Sequence, residues 1–367
     1  MCLVSNKQIW SEETVKVCIV SFANFNMVPY IHTYTKICND CNVKYDIIYW
    51  DRYGLKEERA DCEKLYRYPR MLEDIEPIRK KLFVMLGYAN YVKKILRKEK
   101  YDKVIILTSL LGVFLESFLT RKYNKKYIFD IRDYSFEHIT WYKKKMESLM
   151  TNSILNVISS PGFKNFLPQK ESVTDHNCCF EKVSDDKFKK RTHYPIKIAF
   201  IGNIRYRNEC TKFLEKIKNN EKLEFHFYGR GEILPFMKAY CKENNYKNVF
   251  FYGEYKPEEK ESIIQKSDLL FNAYGTSVEL KFALSNKYYE SMYYKKPLIV
   301  NYDTIMAEFS KGTAFEVDYE KEVAEELIDW YKNIDEEKFD PLANEYLQAA
   351  IEENAKTYNC IRKAIMM

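Results

Sequence analysis

Short apolar runs alternate with longer amphipathic stretches along the chain, and this alternation restricts its fold more than any other feature. A strand buried on both faces reads as a continuous run rich in β-branched and aromatic residues. Its parallel neighbour is reached through a crossover, usually a helix. Strand-like runs occupy 15–22 (VKVCIVSF), 44–51, 103–110, 126–133 and 156–159. The series resumes at 197–204, 223–229, 248–253, 268–273 and 297–302, with a weaker run at 314–318. Helical periodicity covers 31–39, 75–100, 112–121, 136–150, 286–294, 320–334 and 342–366, with Pro77 acceptable near a helix start. Between Pro168 and Pro195 the pattern weakens, and 184–192 (SDDKFKKRT) reads as a linker. The expected architecture is α/β, with two Rossmann-like doubly wound domains facing each other at 1–190 and 191–345. Residues 346–367 are expected to form a C-terminal helix crossing back to the first domain.

The length of 367 residues suits two such domains. The 59 basic and 53 acidic side chains leave a net charge of +6, a mild excess that fits a phosphate-bearing small ligand. Nucleic-acid binding domains concentrate more positive charge, so no nucleic-acid partner is expected. Of the ten cysteines, Cys38 and Cys41 form a lone C-x2-C pair without a second pair at zinc-site spacing. Reduced thiols and no structural metal follow from that pattern. Residues 1–10 lack an apolar run of signal-peptide length, and no stretch reaches the roughly 18 apolar residues that span a bilayer. A cytoplasmic location is the expectation.

In doubly wound sheets ligands bind at the C-terminal ends of strands, which directs attention to the turns there. The turn after the first strand of the second array reads Gly202-Asn203-Ile204-Arg205-Tyr206-Arg207. A glycine admits close backbone approach, a following helix offers unpaired N–H groups, and two arginines supply phosphate contacts. The spacing is not G-x-G-x-x-G, which disfavours a dinucleotide dehydrogenase. Gly229-Arg230-Gly231 and Gly253-Glu254-Tyr255 end the next two strands, which suits a flat ligand such as a base and ribose and equally suits any tight βα turn. In 286–294 a helix places Asn286 and Lys287 at its start and Glu290 three residues beyond Lys287, on the same face. Lys287 could meet a phosphate there, and Glu290 could accept from two ribose hydroxyls; a plain surface ion pair is the simpler alternative.

G-x-x-R at 202–205, FHFYGRGE at 225–232, NVFFYG at 248–253, SDLLFN at 267–272, SNKYYESM at 285–292 and KKPLIV at 295–300 occur in that order. Together they resemble the C-terminal domain of retaining GT-B glycosyltransferases of family 4. The first half agrees through DIRD at 130–133, ISSP at 158–161 and DHN at 175–177. The resemblance implies sugar transfer from a nucleotide-diphosphate donor to a glycan or lipid-linked acceptor, without a cofactor or metal. It implies that Arg205 or Arg207, helped by Lys287, holds the diphosphate, with Gly202, Gly229, Arg230, Gly253 and Asn286 lining the donor site. Glu290 matches the family's ribose-binding glutamate. Asp133, Glu137 and His138 match the strand end that contacts the transferred sugar. The family's first glutamate, separated from the second by seven intervening residues in its motif, falls on Phe282, with Glu279 three residues out of register.

A further expectation concerns 78–101, where eight Lys or Arg are interleaved with Leu, Phe, Val and Tyr and only Glu99 is acidic. Such a helix suits an anionic membrane surface, met through Lys93, Lys94, Arg97 and Lys98, at the inner face of the cell membrane. A solvated helix face is the alternative. Two other functional classes are a non-catalytic GT-B-like partner subunit, which the missing glutamate favours, and a sugar-nucleotide epimerase, for which no acid–base constellation is visible.

Overall fold

A computed structural model describes residues 15–55, 57–59, 61–72 and 76–367. The expectations for residues 1–14 and for a helix start at Ile75 lie outside the described residues. The first array runs β1 (Lys16–Ser21), α1 (Ile31–Asp40), β2 (Lys44–Asp51), β3 (Lys64–Pro69), α2 (Ile78–Glu99), β4 (Lys103–Leu107), α3 (Ser109–Lys122), β5 (Tyr127–Ile131), α4 (Thr140–Asn152), β6 (Leu155–Ile158) and β7 (Val173–Thr174). Its seven-stranded sheet has the order β3-β2-β1-β4-β5-β6-β7, and β1 to β6 pair in parallel. Strand order reverses between β1 and β4, which makes their C-terminal ends the switch point. β4 and β5 are buried at every position, as the uninterrupted apolar runs require.

The second array runs β8 (Ile196–Asn203), α5 (Arg207–Lys216), β9 (Leu223–Arg230), α6 (Leu234–Glu243), β10 (Val249–Gly253), α7 (Lys260–Lys266), β11 (Leu269–Phe271), α8 (Val278–Lys281), α9 (Asn286–Tyr294), β12 (Leu298–Asn301), α10 (Ile305–Phe309), β13 (Ala314–Val317), α11 (Val323–Lys332) and α12 (Glu336–Met366). Its sheet is parallel throughout, in the order β10-β9-β8-β11-β12-β13, so its switch point lies between β8 and β11. Phe200, Phe213, Phe225, Phe227 and Phe271 form its aromatic centre, with Phe213 and Phe271 ring centroids 4.8 Å apart.

The chain divides into two compact units. One holds the described residues to Ile158 together with Leu167–Val173 and Thr357–Met367; the other holds Ser159–Phe166 and Thr174–Lys356. Within the first, Ile361, Ala364 and Ile365 at the end of α12 belong to the same core as Val17, Ile19 and Tyr34. Within the second, Phe339, Ala343 and Leu347 of that helix join the core around Phe200.

Several elements differ from the sequence expectation. β3 was not expected, because its apolar positions are mostly tyrosines flanked by charge, and as an edge strand it is only partly buried. The run at 103–110 ends at Leu107, since α3 begins at Ser109. α12 begins at Glu336 and not at 342: the Asp335 carboxylate accepts from the backbone N–H of Glu337 and Lys338 at 3.1 and 3.3 Å, and Pro341 is tolerated in the second turn.

Candidate active site

In the second unit the switch point is lined by the ends of β8 and β11. The backbones of β8 and β9 come so close there that glycine is required. Gly229 has φ +132°, and a Cβ on it would stand 1.9 Å from the Gly202 carbonyl oxygen; one on Gly231 would stand 2.0 Å from the Ile204 oxygen. Gly202, with φ +108°, instead faces open space within 4 Å of where its Cβ would be. Backbone is therefore exposed to whatever lies over the strand end, as contact with a bulky ligand demands. Gly253 closes β10 with φ +80° and equally open surroundings.

Beyond Gly202 the chain turns through Tyr206, which has φ +66° at the start of α5. Arg205 and Arg207 flank it and are both exposed. Arg205 donates through Nη2 and Nε to the Asn203 side-chain oxygen at 2.7 and 2.9 Å, with the amide turned to present that oxygen. The Arg207 guanidinium lies 3.3 Å from the Phe236 ring centre. Arg230, opposite Asn203 in the β8–β9 register, is exposed as well.

Lys287 joins this turn to α9. Its Nζ sits 5.4 Å from the Phe200 ring and 5.3 Å from that of Tyr274, three residues past the end of β11, and the Tyr274 ring stacks on Tyr206 at 4.9 Å. Lys287 therefore lies against both sides of the switch point. Removal from water lowers its pKa from 10.5 to about 8; Glu290 opposes that shift and Lys260 adds to it. Glu290 is 9% exposed and ion-paired through Oε1 with Lys260 Nζ. Asn286 is exposed at the first position of α9, and the preceding Ser285 donates to Asn272 Oδ1 at 2.8 Å. Lys287 is thus brought to the β8 turn, with Glu290 one turn further along α9, whereas the two arginines engage Asn203 and Phe236.

Sequence reasoning missed Lys260, thirty positions before Glu290 and without local periodicity to tie the two. It also missed Tyr206 and Tyr274, whose tyrosine-rich background hid them. Phe282 has a packing role: its carbonyl accepts from Ser160 Oγ at 2.6 Å and its ring lies 6.1 Å from Phe166. A Cβ on Gly162 would come within 2.5 Å of that same carbonyl oxygen. Glu279 is exposed on α8.

In the first unit, the residues after β5 form their own cluster. Asp130 accepts from Tyr34 at 2.8 Å and pairs with Arg132, whose guanidinium covers the Tyr30 ring at 4.4 Å. Asp133 and His138 are exposed, and His138 Nδ1 is 3.0 Å from the Tyr134 hydroxyl. Glu137 is 4% exposed; one oxygen accepts from Ser135 N at 2.6 Å, the other has no hydrogen-bond partner, and burial pushes its carboxyl above the usual range. Among the described residues no group of three or more His, Cys, Asp or Glu could hold a metal ion, and no helix is long and apolar enough to cross a membrane.

Together the two arrays define a GT-B fold. No protein-family model matches the sequence, and no curated protein matches it. Among solved structures the chain is similar to the lipopolysaccharide outer core galactosyltransferase WaaB in its apo form, at 12% identity and a TM-score of 0.64, over 94% of this chain and 99% of that one. It is similar to sucrose-phosphate synthase from Thermosynechococcus elongatus, at 10% identity and a TM-score of 0.67, over 94% and 98% of the two chains. HepE from Anabaena, solved in complex with UDP-glucose, aligns at 12% identity and a TM-score of 0.63, over 96% and 98%.

Proposed function

We propose that this chain is a glycosyltransferase that moves a hexosyl group from a nucleotide-diphosphate donor to a glycan or lipid-linked acceptor, with retention, in capsule, surface polysaccharide or glycolipid synthesis. The observation that carries the reading is that Lys287 and the open backbone at Gly202 both lie at the switch point of the second sheet, with Glu290 one helical turn beyond Lys287 on α9. A pyrophosphate over Gly202 would lie beside the half-buried Lys287 ammonium, and Arg205 and Arg207 would swing from Asn203 and Phe236 to meet it. Charge builds on the leaving diphosphate in the transition state, so fixed cations there lower the barrier. Gly229, Gly253, Arg230 and Asn286 would border the base and sugar, and Glu290 would accept from the ribose. The bond from the anomeric carbon to the diphosphate oxygen breaks, the acceptor oxygen bonds to that carbon on the same face, and its proton passes to the departing phosphate. No side-chain nucleophile or metal is used in this scheme. Asp133, Glu137 and His138 would contact the transferred sugar.

HepE and an E. coli trehalose-6-phosphate protein have been solved with UDP-glucose and UDP-2-fluoro glucose respectively, which makes a uridine nucleotide the first donor to try. The test is release of free nucleoside diphosphate from a panel of nucleotide-sugars in the presence of cell-envelope extract. Release by the wild type that is lost in Lys287→Met supports the proposal; equal release by both sinks it. Phe282 favours a second reading, a non-catalytic GT-B-like subunit, because the position of the family's first glutamate is spent on packing against Phe166. Binding of nucleotide without turnover of any donor would support that reading.

The proposed site of action is the cytoplasmic face of the membrane, reached through α2. Arg79, Leu82, Phe83, Leu86, Lys94 and Arg97 share one side of that helix at its 3.6-residue period, and all are exposed, Phe83 to 79%. The opposite side, with Tyr88, Val92, Ile95 and Leu96, is buried. Lys98 is also exposed, but Lys93 is partly buried and its pKa is lowered by that burial, so it contributes less than the sequence suggested.

A further inference from the structure

Glu290 enters the donor reading as the acceptor for ribose hydroxyls, yet one of its oxygens is already engaged. Lys260, the first residue of α7, brings its ammonium onto Oε1. The pair is lopsided: the Glu290 side chain is 12% exposed while that of Lys260 is 37% exposed. The ion pair compensates the water this buried carboxylate has lost, whereas the lysine keeps part of its hydration. The pairing compensates the buried acid more than it holds the lysine, whose side chain stays partly in water. The lysine arrives from a particular direction, since α7 follows the β10 turn at Gly253-Glu254-Tyr255, which the donor reading assigns to the base. Lys287 stands one helical turn before Glu290 and also feels its charge. The acid is therefore ion-paired with one ammonium group and interacts electrostatically with a second. With Lys260 absent, Lys287 would be the cation left to neutralise Glu290, and its charge would be drawn from the diphosphate.

We propose that Lys260 is a positioning residue of the donor site, fixing the Glu290 carboxylate so that Oε2 is presented to a ribose hydroxyl of the bound nucleotide. This rests on the donor-site reading given above. A charge-assisted hydrogen bond constrains the carboxylate plane, which an apolar side chain of similar length cannot do.

The test is calorimetric binding of whichever of UDP, GDP, CDP and ADP the wild type holds most tightly, and of that nucleotide's 2′,3′-dideoxy analogue. Wild type, Lys260→Met, Lys260→Arg and Glu290→Gln are compared. Lys260→Met is expected to weaken the ribonucleotide about tenfold and the dideoxy analogue hardly at all, with Lys260→Arg within about threefold of wild type. Wild-type affinity in Lys260→Met beside a loss in Glu290→Gln overturns the role of Lys260 and leaves the donor site standing. An equal loss for both ligands in Lys260→Met assigns the lysine to the fold and also overturns the proposal. Failure of every nucleotide to bind the wild type removes the donor site, and this role with it.

Discussion

Lys287 is a cation kept in a place where charge is costly, with two aromatic rings within 5.4 Å and a pKa lowered to about 8, chiefly by loss of water. Below that pH it is an ammonium able to meet a diphosphate, and above it the charge is lost. Nucleoside diphosphate affinity should therefore fall as pH rises through 8, by up to about tenfold per unit until the bound-state pKa is passed. Between about 8 and the ordinary 10.5, the unfolded chain holds more protons than the folded one, so the burial penalty is relieved and stability rises with pH over that window. Lys287→Met should flatten the affinity profile between pH 7 and 9.5; titrations with the same slope in variant and wild type would assign the dependence elsewhere. Lys287 and Glu290 were legible because helical spacing pairs them within one turn. Lys260 was not, because its contact with Glu290 depends on how α7 and α9 lie in the fold, and nothing local encodes that.

The tightest requirement among the elements is the approach of β8 to β9, where Gly202 faces Gly229 in register. A Cβ at Gly229 would collide with backbone, which cannot yield as a flexible side chain can; at Gly202 the space is open and only the positive φ is unfavourable. Gly229→Ala should cost about 3–4 kcal/mol and Gly202→Ala about 1–2 kcal/mol in urea denaturation. Equal costs would contradict the close-approach account. Both glycines were visible in the sequence as turn residues, but only the structure separates the one that holds two strands together from the one that leaves backbone open. The strand β2, buried along nearly its whole length, was likewise readable, and the helix α9 falls where periodicity placed it. β3 was not, because an edge strand is half-buried and its tyrosines alternate with charge.

For the molecule as a whole, the proposed role in surface glycan synthesis rests on two features of this GT-B chain, the outward side of α2 and the proposed donor site in the second sheet. Each basic residue near an anionic bilayer contributes about 1 kcal/mol, and inserted apolar side chains add to that. The wild type should float with anionic liposomes, while Phe83→Asp/Leu86→Asp and Lys94→Glu/Arg97→Glu/Lys98→Glu should each lose most of that binding; flotation unchanged in both would remove the membrane reading. The central claim, that the second sheet binds a nucleotide-sugar through α9, is tested most directly by thermal unfolding of wild type and Glu290→Ala against UDP, GDP, CDP, ADP and their sugar conjugates. A ligand at about 100 times its dissociation constant adds about 2.7 kcal/mol of apparent stability. The account predicts a clear rise in Tm with one nucleotide family, abolished in Glu290→Ala; no rise with any nucleotide, or the same rise in both proteins, would contradict it.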